Sequence, residues 1–139
     1  MQTVNRHNAT AYLSALIVMS ALDFLWLGLV ARRFYARQLG SLMASPPRWG
    51  AAAAFYLIYP VGIVLFASLS LPGRGSSSVV HAAWLGVAFG FFAYGTYDLS
   101  NWATLRDWPV RLVFVDIAWG SVATGLAAAA SRACANRLW

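Results

Sequence analysis

The sequence predicts an all-α membrane protein in which four transmembrane helices form an up-down bundle. Of its 139 residues, 60% are hydrophobic and only 10% are charged, and the mean hydropathy is +0.62. About a quarter of the residues in a water-soluble domain carry charge, so the composition excludes that class. An aromatic content of 15% excludes a disordered chain. The length fits a single integral membrane domain over residues 1–139.

Four apolar stretches are long enough to cross the hydrocarbon core, which takes about 20 helical residues. The first is a retained helix rather than a cleaved signal peptide, because it contains Asp23 and runs into Arg32 and Arg33 without a small-residue cleavage site. Uninterrupted runs of this length also differ from the short alternating strands of a membrane barrel. The predicted helices cover residues 10–31, 51–71, 77–97 and 112–130.

The connections between these helices are short and contain turn residues, as in Pro46-Pro47, the segment 71–78, and Arg106–Pro109. Short connections make neighbouring helices antiparallel. Because cytoplasmic loops carry an excess of basic residues, the face with more arginines is predicted to be cytoplasmic and both termini periplasmic. The six-arginine face holds Arg32, Arg33, Arg37, Arg48, Arg106 and Arg111, and the opposite face holds Arg6, Arg74, Arg132 and Arg137.

Three of the four aspartates fall in or at the edge of the predicted helices near the six-arginine face. At 1.5 Å per residue, Asp23 lies roughly 12 Å and Asp116 roughly 10 Å inside that face. Asp98 lies at a shallower level near the predicted end of the third helix, and Tyr59 reaches the same layer from the second. An ionised carboxylate in the bilayer costs at least about 2.5 to 3.5 kcal/mol, so these acids are expected to face the bundle interior.

Aromatic and amide side chains accompany the aspartates at helical spacing. Trp26 follows Asp23 by three residues and Trp119 follows Asp116 likewise, so each pair projects from one helical face. Indole N–H and tyrosine O–H groups can satisfy a carboxylate away from water, and the rings can face a cation or an apolar ligand. The alternative is that the acids only join helices by hydrogen bonds. The predicted ligand-binding pocket comprises Asp23, Trp26, Tyr59, Tyr94, Tyr97, Asp98, Asn101, Asp116 and Trp119.

Other features indicate packing rather than chemistry. Gly86 and Gly90 form a G-x-x-x-G motif that permits close helix contact, either within the chain or between copies in a homo-oligomer. Asp107, just before Pro109, is interpreted as a loop ion pair or a helix N-cap. The single Cys134 is interpreted as an apolar filler. We expect no metal, no cofactor and no nucleic-acid partner, because metal-ligand spacing, a phosphate loop and a basic patch are all missing from the sequence.

Four segments, taken in order, resemble the bacterial predicted membrane proteins grouped as domain of unknown function 2177. They read L-D-F-L-W-L-G, F-Y-L-I-Y-P-V-G-I-V-L-F, Y-G-T-Y-D-L-S-N-W-A-T-L-R-D-W-P and V-D-I-A-W-G-S. The resemblance covers residues 12–130 and implies four membrane helices, a bacterial origin and hence the bacterial inner membrane. It supplies no activity. Because members are often encoded beside genes of fatty-acid or lipid modification, it also suggests a role linked to lipids.

Three functional hypotheses remain open at this point. The first is a module that binds or transports a small or amphipathic ligand, cationic or proton-coupled, at the aspartate and aromatic pocket. The second is a membrane enzyme or enzyme subunit in lipid modification, with one aspartate as general base. The third is a structural partner of another membrane protein, for which the Gly86/Gly90 face is the candidate surface. The expected surroundings are the lipid bilayer, with a small molecule or a lipid as ligand.

Overall fold

The computed structural model describes residues 2–69 and 78–138. Four segments are long and apolar enough to cross a membrane: Asn5–Val30, Trp49–Ser68, Val79–Thr104 and Val110–Leu138. The predicted all-α bundle of four membrane helices is therefore confirmed. The helices are α1 (Gln2–Leu25), α2 (Arg32–Leu39), α3 (Trp49–Ile63), α4 (Val79–Thr104) and α5 (Val110–Leu138), with π-helical turns at Trp26–Val30 after α1 and Val64–Ser68 after α3, and a 3-10 turn at Gly40–Leu42.

The last two helices run further than the apolar pattern indicates. α4 ends at Thr104 rather than near residue 97, and polar side chains in its last turns bond back to the helix. Ser100 Oγ donates to the Tyr97 carbonyl oxygen at 2.9 Å, and Thr104 Oγ1 donates to that of Ser100 at 2.8 Å. α5 continues to Leu138 rather than ending near residue 130. Residues 70–77 lie outside the described residues. They include the predicted end of the second helix, the predicted start of the third, and Arg74 between them.

Small residues allow α4 and α5 to pack closely. A Cβ at Gly86 would lie 2.7 Å from Ala128 Cβ, and one at Gly90 would lie 2.7 Å from Thr124 Oγ1. The face that carries Gly86 and Gly90 is thus covered by α5 of the same chain. This is the contact within the chain that the motif permits; a homo-oligomer or a contact with another membrane protein stays a prediction.

A buried serine ties α1 and α5 together at the end of the bundle away from the predicted pocket. Ser131 Oγ donates to the Ala11 carbonyl oxygen at 2.8 Å and lies 2.8 Å from Ser68 Oγ. Arg132 Nη1 also donates to the Ser68 carbonyl oxygen, at 3.3 Å. These bonds hold the continuation of α5 beyond residue 130 against α1 and the π turn after α3.

A short amphipathic helix, α2, occupies a segment that the sequence predicts to be a loop. The chain leaves the π turn at Ala31, whose φ of −101° and ψ of 2° break the helical path, and α2 begins at once. Arg32, Arg33 and Arg37 are exposed, whereas Tyr35 is buried. With eight residues, α2 is too short to span a bilayer, and its two-sided character fits a helix lying at the membrane surface.

Candidate functional site

The site lies where α1 ends, α3 begins, α4 ends and α5 begins, and α2 lies beside it. A cavity of about 480 Å³, here called the aspartate cavity, is lined by side chains from all five helices. The convergence predicted for Asp23 and Asp116 is therefore present in the geometry. Its lining includes Asp23, Arg32, Tyr35, Phe55, Tyr56, Tyr94, Tyr97, Trp108, Asp116 and Trp119.

Asp23 is held by donors from two other helices. It is only 3% exposed. Trp119 Nε1 on α5 donates to its Oδ1 at 2.9 Å, and the Tyr56 hydroxyl on α3 donates to its Oδ2 at 3.1 Å. Both bonds are directed at a carboxylate and orient it toward the cavity. A buried carboxylate is tolerated only with such partners, so this arrangement fixes the relative rotation of α1, α3 and α5.

Asp116 ends a second chain of hydrogen bonds. The Tyr35 hydroxyl on α2 donates to Asp116 Oδ1, and Trp26 Nε1 donates to the Tyr35 oxygen at 3.3 Å. Burial, and after it the bond to Asp116, raise the pKa of the Tyr35 phenol above its ordinary value. Tyr35 therefore stays protonated and continues to donate. The hydrogen bond from Tyr35 to Asp116 thus connects α2 with a residue of α5 that lines the aspartate cavity.

The two indoles named from the sequence stack on one another. The rings of Trp26 and Trp119 lie 4.5 Å apart at an interplanar angle of 7°. Trp26 opens the π turn, whose closing bond runs from the Ala31 amide to the Trp26 carbonyl oxygen at 2.6 Å. A π turn inserts one residue into the helical repeat and so changes the direction of the side chains around it. The Trp26 ring stacks on the Trp119 ring. The Trp26 indole donates to the Tyr35 oxygen, and the Trp119 indole donates to Asp23.

A second, lateral opening adjoins the aspartate cavity. We call this space, of about 360 Å³, the aromatic cleft. α4 packs closely against the π turn Val64–Ser68 but diverges from α3 itself, which leaves the gap. The Tyr59 ring lies 6.1 Å from that of Tyr94, and Tyr97 is 56% exposed at the rim. The cleft is lined by Phe55, Tyr59, Ala93, Tyr94, Tyr97 and Asp116. Asp116 therefore lines both the cleft and the aspartate cavity.

Asp98 is deeper than the sequence indicates. Because α4 continues to Thr104, Asp98 lies six residues, roughly 9 Å, before the helix end. It is 0% exposed, and it lies against Asp116 and near the Trp108 indole. Within the described part of the chain, neither of its carboxyl oxygens has a hydrogen-bond partner, and the same holds for Trp108 Nε1. Its place at the edge of the core, expected from the sequence, is thus corrected to a fully buried one.

The predicted residues separate into four groups. Asp23 and Trp119 line the aspartate cavity alone, and Tyr94, Tyr97 and Asp116 line both spaces. Tyr59 lines the aromatic cleft alone, where its hydroxyl lies 2.9 Å from Thr124 Oγ1. The remaining three, Trp26, Asp98 and Asn101, are absent from the lining of both spaces; Trp26 and Asp98 contact residues that do line them.

Sequence reasoning missed Tyr35, Tyr56 and Arg32 as residues of the site. Tyr56 precedes Tyr59 by three residues and so shares its helical face, a signal that was present. Tyr35 and Arg32 belong to α2, and their role depends on that helix folding back over the cavity. Among residues 2–69 and 78–138, no three His, Cys, Asp or Glu side chains gather as a metal site.

Comparison with known proteins bears on the class of the molecule. No curated protein and no solved structure matches the chain. A sequence profile described as predicted membrane protein, DUF2177, matches residues 8–133 and hence nearly all of the four membrane segments. The chain therefore belongs to the DUF2177 family of predicted membrane proteins.

Proposed function

We propose that this membrane protein binds an amphipathic ligand with a cationic head, which enters from the bilayer through the aromatic cleft. The observation that carries the proposal is the position of Asp116, which lines both the cleft and the aspartate cavity. A ligand could then keep its apolar chain among the rings of the cleft while its head reaches a carboxylate. Binding pockets of this kind combine a mostly apolar wall with a few directed polar groups.

The chemistry of the walls favours an amine or a related cation over a neutral head. Asp23 and Asp116 offer two negative charges against the one positive charge of Arg32, within a cavity whose other walls are largely aromatic. A cation gains both from a carboxylate and from the faces of nearby rings, and these gains grow where water is excluded. The hydroxyl and indole donors of the network orient the carboxylates without neutralising them. The same features would serve binding alone or binding as the first step of transport.

We further propose that the protein resides in the inner membrane of a bacterium, with the site facing the cytoplasm. Exposed arginines on α2 lie at the end of the bundle that carries the site, and Arg32 lines the aspartate cavity itself. Basic residues are retained on the cytoplasmic side during insertion. This orientation places the mouth of the site beside the anionic headgroups of the cytoplasmic leaflet, with both termini on the other side.

The test uses the purified chain in nanodiscs and a long-chain primary amine brominated along its chain, since bromine quenches tryptophan fluorescence on contact. A brominated alcohol of equal length measures partitioning into the bilayer without a charged head. We expect the amine to quench at lower concentration than the alcohol. Asp116→Asn should weaken amine binding by about tenfold or more, because a hydrogen bond to a charged group contributes about 1.5–3 kcal/mol.

Asp107→Asn is the matched control, because Asp107 is an exposed aspartate in the turn between α4 and α5. It should leave the difference between amine and alcohol unchanged. Equal quenching by the two probes in the wild-type protein, or equal loss in the Asp107 and Asp116 variants, would overturn the proposal.

A further inference from the structure

The buried carboxyl group of Asp98 has no role in the ligand site as described so far. It is completely enclosed, and neither of its oxygens accepts a hydrogen bond within residues 2–69 and 78–138. By contrast, Asp23 accepts two hydrogen bonds and Asp116 accepts one from Tyr35. Asp98 is therefore the one core acid whose surroundings do not compensate a negative charge.

An uncompensated carboxylate in such a place is physically costly. Transferring an isolated ionised carboxyl group into an apolar interior costs far more than transferring its neutral form, so the group takes up a proton instead. A protonated carboxyl group then needs an acceptor for its O–H. Asp98 lies against Asp116, and two ionised carboxylates in contact repel, whereas an acid and a carboxylate form a hydrogen bond.

We infer that Asp98 and Asp116 form a carboxylic acid–carboxylate pair that holds one proton at neutral pH. Asp98 carries the O–H and donates to Asp116, which also accepts from Tyr35. The pair would be a proton-binding site between α4 and α5, next to the aspartate cavity and the aromatic cleft. Asp116 alone connects it to them, since Asp98 is absent from the lining of both.

The groups that face the pair favour a single shared proton. From α2 comes the phenol of Tyr35, from α4 itself that of Tyr97, and from the following turn the indole of Trp108. All three are neutral donors. Two further charged residues line the aspartate cavity with Asp116. They are Asp23 on α1, which acts on Asp116 with the same sign, and Arg32 on α2. The donors can stabilise one negative charge at the pair, Asp23 opposes a second one, and one proton relieves the repulsion.

The pair has a consequence that rests on the proposed function. A cationic head at Asp116 would supply the positive charge that the shared proton otherwise provides. The O–H bond of Asp98 would then break, and the proton would pass through Asp116 to water in the aspartate cavity. One proton would leave for each cation bound, with no change in oxidation state. Ligand binding at this site would be linked to proton release.

The carboxyl pair itself is tested without any ligand. The chain has four aspartates and no glutamate, so the infrared C=O band of protonated side-chain carboxyl groups has few sources. We expect the wild-type protein in nanodiscs to show this band at neutral pH, and labelling with ¹³C-aspartate to shift it. Asp98→Asn should abolish the band, because the asparagine amide supplies a hydrogen to Asp116 without an ionisable proton.

Asp23→Asn and Asp107→Asn are the controls and should retain the band. If both controls retain the band, Asp98 and Asp116 are the aspartates left to account for it. This result identifies the pair even where Asp98→Asn fails to fold. Absence of the band from the folded wild-type protein, its persistence in a folded Asp98→Asn variant, or its loss in Asp23→Asn would each overturn the inference. Failure of the proposed function is a different result, because amine binding could be lost while the band stays present.

Discussion

The partners of the aspartates show what residue spacing alone can predict. Helical spacing predicts Asp23 and Asp116 at one depth, and both line one cavity. It pairs Asp23 with Trp26 on the same helix, yet the indole that donates to Asp23 is Trp119 from α5. A shared face shows which residues point in one direction, but contact across helices depends on their rotation and separation. For α1 and α5 these depend on core packing, in which Ala11 and Ala15 share a cluster with Ala123 and Ala127.

The bond from Trp119 to Asp23 yields a prediction about stability. Trp119→Phe keeps an aromatic ring beside Trp26 but removes the N–H that donates to Asp23 Oδ1. Loss of a donor to a buried charged acceptor should lower the free energy of unfolding by about 1.5–3 kcal/mol. Reversible unfolding in mixed SDS micelles measures it.

Trp84→Phe is the matched control for that variant, because Trp84 is 69% exposed on α4. It should leave the unfolding free energy nearly unchanged. Similar losses in both variants would show that indole size, rather than the hydrogen bond, accounts for the effect.

Tyr35 offers a pH measurement outside the membrane segments. Its pKa is raised by burial and by Asp116, so the folded state keeps the phenol protonated at pH values where an unfolded chain ionises it. The stabilisation is complete below the unfolded pKa of about 10 and is lost as pH rises toward the folded pKa. In alkaline absorbance titrations, Tyr35→Phe should therefore match the wild-type amplitude near pH 10 when folded. In denaturant, the variant should lack one titrating tyrosine; a lower amplitude in the folded variant would contradict the assignment.

At the scale of elements, the four membrane helices follow from length and hydropathy, whereas α2 does not. Its segment is polar and too short to span, so periodicity over eight residues was the only signal. That periodicity is present, because Arg33 and Arg37 are exposed while Tyr35 is buried. The sequence also does not predict the last turns of α4. Hydroxyl side chains such as Ser100 and Thr104 usually favour loops, but here both bond back to the helix.

The contact between α4 and α5 predicts a sharp difference between two glycines of one helix. A Cβ at Gly90 would collide with the Gly120 backbone and Thr124, whereas one at Gly95 meets only Ile117 Cδ1 at 3.9 Å. Gly90→Ala should cost about 1–3 kcal/mol in the free energy of unfolding, because overpacking forces the helices apart. Gly95→Ala should be neutral or slightly stabilising, since alanine favours helix more than glycine. Equal effects in SDS unfolding would contradict this packing.

At the scale of the whole molecule, charge and site share one end of the bundle. The aspartate cavity, the surface helix α2 and the exposed Arg106 all lie where α4 turns into α5. At the opposite end lie the buried Ser68 and Ser131, which join helices. The aspartate cavity therefore lies at one end of the bundle, and the hydrogen bonds between buried serines lie at the other. Function is expected to depend on which end faces the cytoplasm.

Orientation is measurable with single cysteines in a background where Cys134, the one native cysteine, is replaced by serine. Asp107→Cys reports the end that carries the site, and Leu138→Cys, at a position 64% exposed, reports the opposite end. Because basic residues are retained in the cytoplasm, a membrane-impermeant maleimide should label Leu138→Cys in intact bacterial cells. Asp107→Cys should react only after the membrane is permeabilised. The reverse pattern would place the aspartate cavity on the periplasmic side, and a ligand would then have to be drawn from the outer leaflet.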